Sequence, residues 1–140
     1  MIKPRNVAGL ADYSEAENVA LSKWIRLVEN EYRLFGFSRL IPHPMELREV
    51  LLSKGGVQNL IFGVSRLHND KPTDMALPFD RTVPLANWIA KRESEVAFPY
   101  KRYDISYSYR GERSQAGRLQ AFFQADVDII GRGKQPSAHC

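Results

Sequence analysis

Three arginines are concentrated in one short segment of the sequence. Arg110, Arg113 and Arg118 fall within nine residues, between two stretches of alternating polar and apolar residues. Guanidinium groups bind polyphosphates through paired, fork-like hydrogen bonds, so this loop is a candidate anion site. Most charge clusters on proteins are solvated, and a charged hairpin tip is the other interpretation of the same residues.

Polar side chains also follow the two flanking stretches. The even-numbered residues from 104 to 110 are polar, and Gln124, Asp126 and Asp128 alternate with apolar residues in the second stretch. Residues two apart in a strand share a face, so Gln124 and Asp128 lie on the same side of their strand. The resulting polar row is either a solvated outer face or the polar floor of a ligand site.

The sequence lacks the motifs of several other catalytic classes. It contains no G-x-x-x-x-G-K-[ST] phosphate loop, no G-x-G-x-x-G fingerprint and no G-x-S-x-G nucleophile elbow. His43, His68 and His139 are far apart and lack metal-ligand spacing, so we predict that the protein holds no metal ion of its own. The basic turn at residues 131–134 has no clear helix after it and is a poor phosphate cradle.

Composition places the chain among ordinary globular proteins. Its 140 residues and 16.0 kDa suit one domain or part of a larger one, and 44% of the residues are hydrophobic. Cys140 is the one cysteine, which excludes a disulfide framework within the chain and favours a reducing compartment. The net charge of +4 permits an anionic partner without identifying it. We find neither a membrane span nor a signal peptide, and expect a cytoplasmic protein.

Helices and strands must position the polar groups. Ser14 and Glu17 form an S-x-x-E capping box, which predicts a helix that continues to Gly36. We predict that its apolar stripe packs into the core; the stripe consists of Leu21, Trp24, Ile25, Val28, Tyr32 and Phe35. Further helices are predicted over residues 45–54 and 82–92, and short strands over residues 37–41, 60–67 and 74–77.

The two polar stretches are themselves the strongest strand signals. Residues 103–110 and 122–130 alternate in the strand pattern and are joined by the arginine-rich loop, which predicts an antiparallel hairpin. Together the elements predict one α+β domain over residues 1–140, with a mainly antiparallel sheet flanked by helices.

Three groups of segments resemble the histidyl-tRNA synthetase family, which belongs to class II of the aminoacyl-tRNA synthetases. FPYKRY at 98–103 leads into YRGER at 109–113, and GR at 117–118 is followed by FFQADVDIIG at 122–131. Together these segments resemble class II motif 2 in its histidine-specific form. LPFDRTVPLA at 77–86 is similar to the family's amino-acid-binding segment, and GFSRLI at 36–41 resembles the approach to motif 1. The likeness covers about residues 3–133.

The resemblance implies a partial class II catalytic core and a histidine site. Asp80 and Thr82 would face the bound L-histidine, with the Asp80 carboxylate holding its α-ammonium. Gln124 and Asp128 would complete that pocket, and Asp128 would reach the ammonium or the imidazole.

The resemblance also implies an ATP-dependent ligase. Arg110 would be the catalytic residue, gripping both the ATP α-phosphate and the histidine carboxylate while the adenylate forms. Glu112, Arg113 and Arg118 would contact the nucleotide and the acceptor end of tRNA(His). ATP would be the second substrate, accompanied by Mg²⁺, and the family's pairing through motif 1 implies a homodimer.

Some features of the sequence depart from the family. Gln120 and Ala121 replace the usual pattern after the Gly117–Arg118 pair, and we find no segment that resembles motif 3 or the anticodon-binding domain. We therefore expect a truncated form of the ligase with very weak or no activity by itself. The alternative is a non-catalytic, synthetase-like regulatory subunit of the histidine-biosynthesis type. A third interpretation, a basic RNA-binding module, rests on the net charge alone.

Overall fold

The computed structural model describes residues 3–68, 73–113, 115 and 117–132, so His139, Cys140 and part of the 131–134 turn lie outside it. In this part of the chain the helices are α1 (Glu15–Leu34), α2 (Arg48–Leu52) and α3 (Thr82–Lys91). The strands are β1 (Ser38–Arg39), β2 (Glu46–Leu47), β3 (Phe62–Val64), β4 (Met75–Leu77), β5 (Tyr100–Tyr109) and β6 (Ala121–Ile130). None of the described helices is long and apolar enough to cross a bilayer.

The strands form two small sheets. β5 and β6 pair antiparallel over ten residues, from Tyr100 opposite Ile130 to Tyr109 opposite Ala121, and β1 joins the other edge of β5 in parallel. In the second sheet β4 lies between β2 and β3 and is antiparallel to both. The predicted hairpin and the predicted α+β class, with a mainly antiparallel sheet, are therefore confirmed.

Helix α1 begins as predicted but packs differently. The Ser14 hydroxyl accepts the Glu17 N–H at 3.3 Å, and the Glu17 carboxylate accepts the Ser14 N–H at 2.8 Å, so the capping box is complete. The Tyr32 ring lies 5.4 Å from that of Tyr103 on β5. Trp24 and Phe35, however, are 65% and 69% exposed. None of the six stripe residues is fully buried, so the prediction that the stripe packs into the core is wrong, because no described element packs along the length of α1.

The apolar core lies around the sheet formed by β2, β4 and β3. Leu51 of α2, Ala76 of β4 and Phe79 form its buried centre. Residues 46–47 pair with β4, which is why the helix predicted over residues 45–54 is shorter and begins at Arg48. The core therefore joins α2 and β4 to the segment that leads into α3.

The polar face of the β5–β6 hairpin is turned inward. We define it by Arg102, Asp104, Ser106 and Ser108 on β5 and by Phe122, Gln124, Asp126 and Asp128 on β6. Arg102, Asp104 and Ser108 are completely buried, whereas Val127 and Ile129 on the opposite side are about half exposed. Of the two interpretations of the polar row, the solvated outer face is therefore wrong.

Buried ion pairs compensate the charges on this face. Arg81, which is itself buried, lies with its Nε 2.7 Å from the Asp104 Oδ2. An Nη of Arg102 contacts the Asp128 carboxylate at 2.8 Å and donates to the Arg81 carbonyl at 3.2 Å. Since burying a charge is costly unless it is paired, these contacts determine how the segment before α3 lies on β5.

We expect Asp104→Ala to lower the free energy of unfolding by about 3–5 kcal/mol, because Arg81 and Arg102 lose their shared buried counter-charge. Urea denaturation measures the change. The control is Glu95→Ala, which removes an exposed pair with Arg92 and should cost less than about 0.5 kcal/mol. Equal losses in the two variants would contradict the assigned role of Asp104.

Candidate active site

Backbone hydrogen bonds fix the start of the β5–β6 loop against the segment before α3 and against residue 60. The Tyr109 N–H donates to the Pro78 carbonyl at 2.9 Å, and the Gly111 N–H donates to the Leu60 carbonyl at 2.9 Å. A Cβ at residue 111 would lie 3.1 Å from the Asn59 carbonyl oxygen, so this close approach favours glycine. These contacts bring the arginine-rich loop beside Asp80.

Arg110 is held by three separate contacts. Its backbone N–H donates to the Gln120 carbonyl at 2.8 Å, and its Nε donates to the Phe79 carbonyl at 3.1 Å. The guanidinium carbon lies 4.9 Å from the centre of the Phe122 ring. Within the described part of the chain its Nη groups donate no hydrogen bond. Arg110 is thus oriented in advance and can bind an anion.

A groove of about 190 Å³, the loop groove, lies beside Arg110. It is lined by Arg110, Glu112, Gly117, Arg118, Leu119 and Phe122. Arg118 pairs with the Glu112 carboxylate at 2.9 Å, so the loop's own charges are partly compensated. The groove contains Arg110, Glu112 and Arg118 of the predicted nucleotide residues, whereas Arg113 is exposed and does not line it.

Gln120, which departs from the family pattern, supports this loop. Its side-chain amide donates to the Glu112 carbonyl at 2.7 Å, and its N–H donates to the Gly9 carbonyl at 2.8 Å. Gln120 therefore joins the N-terminal segment to the wall of the loop groove through one side-chain donor and its backbone N–H.

A second groove, the α3–β6 groove, has a volume of about 510 Å³. Thr82 and Asp128 are its polar residues nearest the start of α3, and its apolar wall includes Leu85, Ile89 and Ile130. A cleft with an apolar wall and a few polar groups suits a small ligand that has one charged end. Two of the residues that are predicted to bind histidine, Thr82 and Asp128, thus line the same groove.

The ionised form of the Asp128 carboxyl is disfavoured by its surroundings. Burial raises the pKa of its carboxyl above the ordinary value of 3.8, and the neighbouring charge of Asp126 raises it further. Arg102 acts in the opposite direction through the 2.8 Å contact with the carboxylate. A cationic ligand would lower the pKa of this carboxyl, since an added positive charge stabilises the ionised form.

Asp80 lies near these grooves but already has partners. Its Oδ1 accepts the Val83 N–H in the first turn of α3 at 3.1 Å, and its Oδ2 lies 2.5 Å from the Lys54 ammonium nitrogen. Gln124 lies between the two grooves on β6, and its amide donates to the Asp126 carboxylate at 2.9 Å. Phe122 and Asp128 are six residues apart, or about 20 Å along the strand. The predicted residues therefore do not form one pocket, because Asp80 and Gln124 line neither of the two grooves.

Comparisons with known proteins show which proteins the chain resembles. No family model matches the chain. A histidine–tRNA ligase of Stenotrophomonas maltophilia is 36% identical over 143 aligned positions, which cover 94% of this chain and 31% of the relative. The crystal structure of histidyl-tRNA synthetase from Nostoc sp. PCC 7120 superposes with a TM-score of 0.82 at 30% identity and covers 94% of this chain. The chain is a partial homologue of histidyl-tRNA synthetase. It spans about 30% of the length of these relatives.

A third comparison agrees on the fold. A Bacillus halodurans structure described as an ATP phosphoribosyltransferase regulatory subunit/histidyl-tRNA synthetase superposes with a TM-score of 0.78 over 94% of this chain and 34% of its own. Its sequence identity is 21%, so the likeness shows the fold alone. The resemblance of this chain to aminoacyl-tRNA ligases therefore rests on the histidine–tRNA ligases themselves.

Sequence reasoning missed several residues that line or support these grooves. Arg102 has the same strand parity as Asp104, a signal that would have placed it on the polar face. Phe122 belongs to the strand pattern and to the motif 2 resemblance, but neither indicates that its ring contacts the Arg110 guanidinium. No sequence signal points to Lys54, because its contact with Asp80 joins segments 26 residues apart.

We expect the Asp128 carboxyl to titrate above pH 3.8 in a ¹³C NMR titration, and Asp126→Asn to lower its midpoint by removing a neighbouring negative charge. Because the folded state holds this proton more tightly, the carboxyl stabilises the fold most below pH 3.8. That contribution is lost as the pH rises through the raised pKa. Asp12→Asn, in the exposed N-terminal segment, should leave the midpoint unchanged. A midpoint at or below 3.8 would contradict the assignment.

Proposed function

We propose that this chain binds L-histidine and ATP on the polar face and the adjoining loop, as part of the histidine-activating site of a class II ligase. The orientation of Arg110 carries the proposal. Its Nε donates to the Phe79 carbonyl, next to Asp80, while its ring contact with Phe122 directs it toward the loop groove. One guanidinium can therefore serve both a carboxylate and a phosphate.

The chemistry requires such a group. In histidine activation a carboxylate oxygen of histidine attacks the α-phosphorus of ATP, the P–O bond to the β-phosphate breaks, and pyrophosphate leaves. Negative charge accumulates on the phosphoryl oxygens as the new bond forms. A preoriented guanidinium stabilises that charge without reorganising during the reaction. Holding both substrates on one surface also removes much of the entropic cost of their meeting.

Histidine would lie at the end of the polar face near α3. Thr82 and Asp128 line the groove there, and the carboxylates of Asp80 and Asp128 suit an α-ammonium. Gln124, between this groove and the loop groove, would lie beside the reacting carboxylate. Burial of Asp128 favours a cation there, because a ligand ammonium compensates a charge that the fold leaves incompletely compensated.

The remaining partners follow from the proposed reaction. Mg²⁺ would arrive with ATP as the counter-ion of its phosphates. Among residues 3–68, 73–113, 115 and 117–132 no three acidic, histidine or cysteine side chains converge, so we assign the ion no protein ligand. tRNA(His) would accept the activated histidine in the cytoplasm, and the exposed Arg113 would approach its acceptor end.

Isothermal titration calorimetry with histidine and with ATP tests the two halves of the site separately. We expect Asp128→Asn to weaken histidine binding about tenfold or more, because a hydrogen bond to a charged partner is lost, and to leave ATP binding unchanged. Arg110→Ala should weaken ATP binding by a similar factor. Asp12→Asn is the matched control for the loss of one carboxylate. If neither ligand binds the wild-type chain, the proposal fails.

The regulatory alternative predicts a different outcome. A non-catalytic subunit would bind histidine, but it would not bind ATP or catalyse ATP–pyrophosphate exchange. Histidine binding with no measurable ATP binding in either the wild type or Arg110→Ala would favour it. Robust histidine-dependent ATP–pyrophosphate exchange that is lost in Arg110→Ala would instead support the ligase and overturn the expectation of an incomplete site.

The exposed apolar side of α1 supports the proposed self-association. Trp24, Leu27, Leu34 and Phe35 are each more than half exposed. An apolar patch of this kind marks an interaction surface more often than a solvated one. A second copy of the chain would cover it if α1 pairs with its symmetry mate.

We expect Trp24→Glu to shift the chain from dimer to monomer in sedimentation equilibrium, because the mutation places a charge in the apolar patch. Ser22→Glu, an equally acidic change at an exposed position of the same helix outside the patch, should leave the dimer intact. A wild-type chain that sediments as a monomer at high concentration would contradict self-association.

A further inference from the structure

Lys54 places an ammonium group on the carboxylate that the proposed histidine site uses for an ammonium. The Lys54 Nζ lies 2.5 Å from the Asp80 Oδ2 and 5.3 Å from the centre of the Phe79 ring. The other oxygen of Asp80 accepts the Val83 N–H. Both oxygens of this buried carboxylate are therefore engaged within the chain itself.

The two partners of Asp80 differ in how firmly they are held. The Val83 N–H belongs to the first turn of α3 and cannot move without the helix. Lys54 follows the short helix α2, and its side chain is 51% exposed. A flexible, half-exposed lysine can leave its partner at little cost, because water solvates the released ammonium.

An open groove connects Lys54 to the proposed histidine site. This α2–α3 groove is lined by Lys54, Ser53, Val83 and Asn87, and also by Thr82. Thr82 lines the α3–β6 groove as well, where it lies with Asp128. Asp80 lines neither groove, but Lys54, which contacts it, lines the α2–α3 groove, and Thr82 lies two residues after Asp80 in the chain. A ligand ammonium that enters beside Thr82 therefore approaches the Lys54–Asp80 pair.

We propose that Lys54 competes with the α-ammonium of the incoming amino acid for Asp80. This competition lowers the affinity of the site for ligands that carry an α-ammonium and does not affect ligands that lack one. This inference rests on the proposed histidine site. Both groups are –NH₃⁺ cations that donate to a carboxylate, and two such cations at one carboxylate repel each other. Binding of the amino acid is thus an exchange, in which Lys54 moves to solvent as the ligand ammonium arrives.

The test measures binding of two ligands to the full chain by calorimetry. L-histidine carries the α-ammonium, and 3-(imidazol-4-yl)propanoate is the same molecule without it. Lys54→Met should lower the Kd for histidine by about three- to fivefold, the factor expected for releasing a partly exposed ion pair. It should not lower the Kd for the propanoate, which never competes with Lys54.

Three variants complete the experiment. Lys54→Gln, a second neutral variant, should also lower the Kd for histidine. It replaces Lys54→Met in the experiment if the methionine variant folds poorly. Lys54→Arg keeps the cation and should bind histidine no more tightly than the wild type. Lys23→Met removes an exposed lysine from α1 and should change neither Kd.

The outcomes separate this inference from the proposed function. If histidine binds and Asp128→Asn weakens it, but neutral variants at Lys54 bind it no more tightly, the competition is wrong and the histidine site stands. Equal tightening of histidine and the propanoate also overturns the competition, since it would reflect a general opening of the groove. If histidine binds no variant, the proposed site and this inference fail together.

Discussion

The buried contact between Arg81 and Asp104 is the interaction on which the arrangement of the site depends. Both side chains are removed from water, and Arg102 lies beside them with equally little exposure. Leaving any of these charges unpaired would be costly, so the segment before α3 has to lie across β5 with Arg81 directed inward. Arg81 also donates to the Pro42 carbonyl at 3.3 Å, which extends the same constraint to the segment after β1.

Positions of the functional groups follow from that constraint. Arg81 lies between Asp80 and Thr82 in the chain, and two residues away is the Phe79 carbonyl that accepts the Arg110 Nε. Holding Arg81 in place therefore holds a carboxylate, a hydroxyl and a carbonyl at defined positions beside the loop. The start of α3 adds its own N–H groups, which bind Asp80 through Val83.

Charges in this region compensate one another within the chain. Lys54 contacts Asp80, Arg102 contacts Asp128, and Arg118 contacts Glu112. A charged substrate that enters such a site exchanges internal ion pairs for its own, so its affinity depends on how easily each pair opens. The Arg102–Asp128 pair, which includes a fully buried arginine, opens at greater cost than the half-exposed Lys54.

Local patterns in the sequence determined α1, α3 and the β5–β6 hairpin. A capping box and a strict alternation of polar and apolar residues depend only on residues that are close in the sequence, so both can be recognised without the tertiary structure. The motif resemblance pointed to the histidine–tRNA ligases, which the comparisons also found, and to the candidate residues Asp80, Arg110 and Asp128. Only the tertiary structure decided that the polar side of the hairpin is buried, that Trp24 and Phe35 are exposed, and that Lys54 contacts Asp80. Burial depends on which distant segment covers a surface, and the Arg81–Asp104 and Lys54–Asp80 contacts join residues more than twenty positions apart, which no local periodicity encodes.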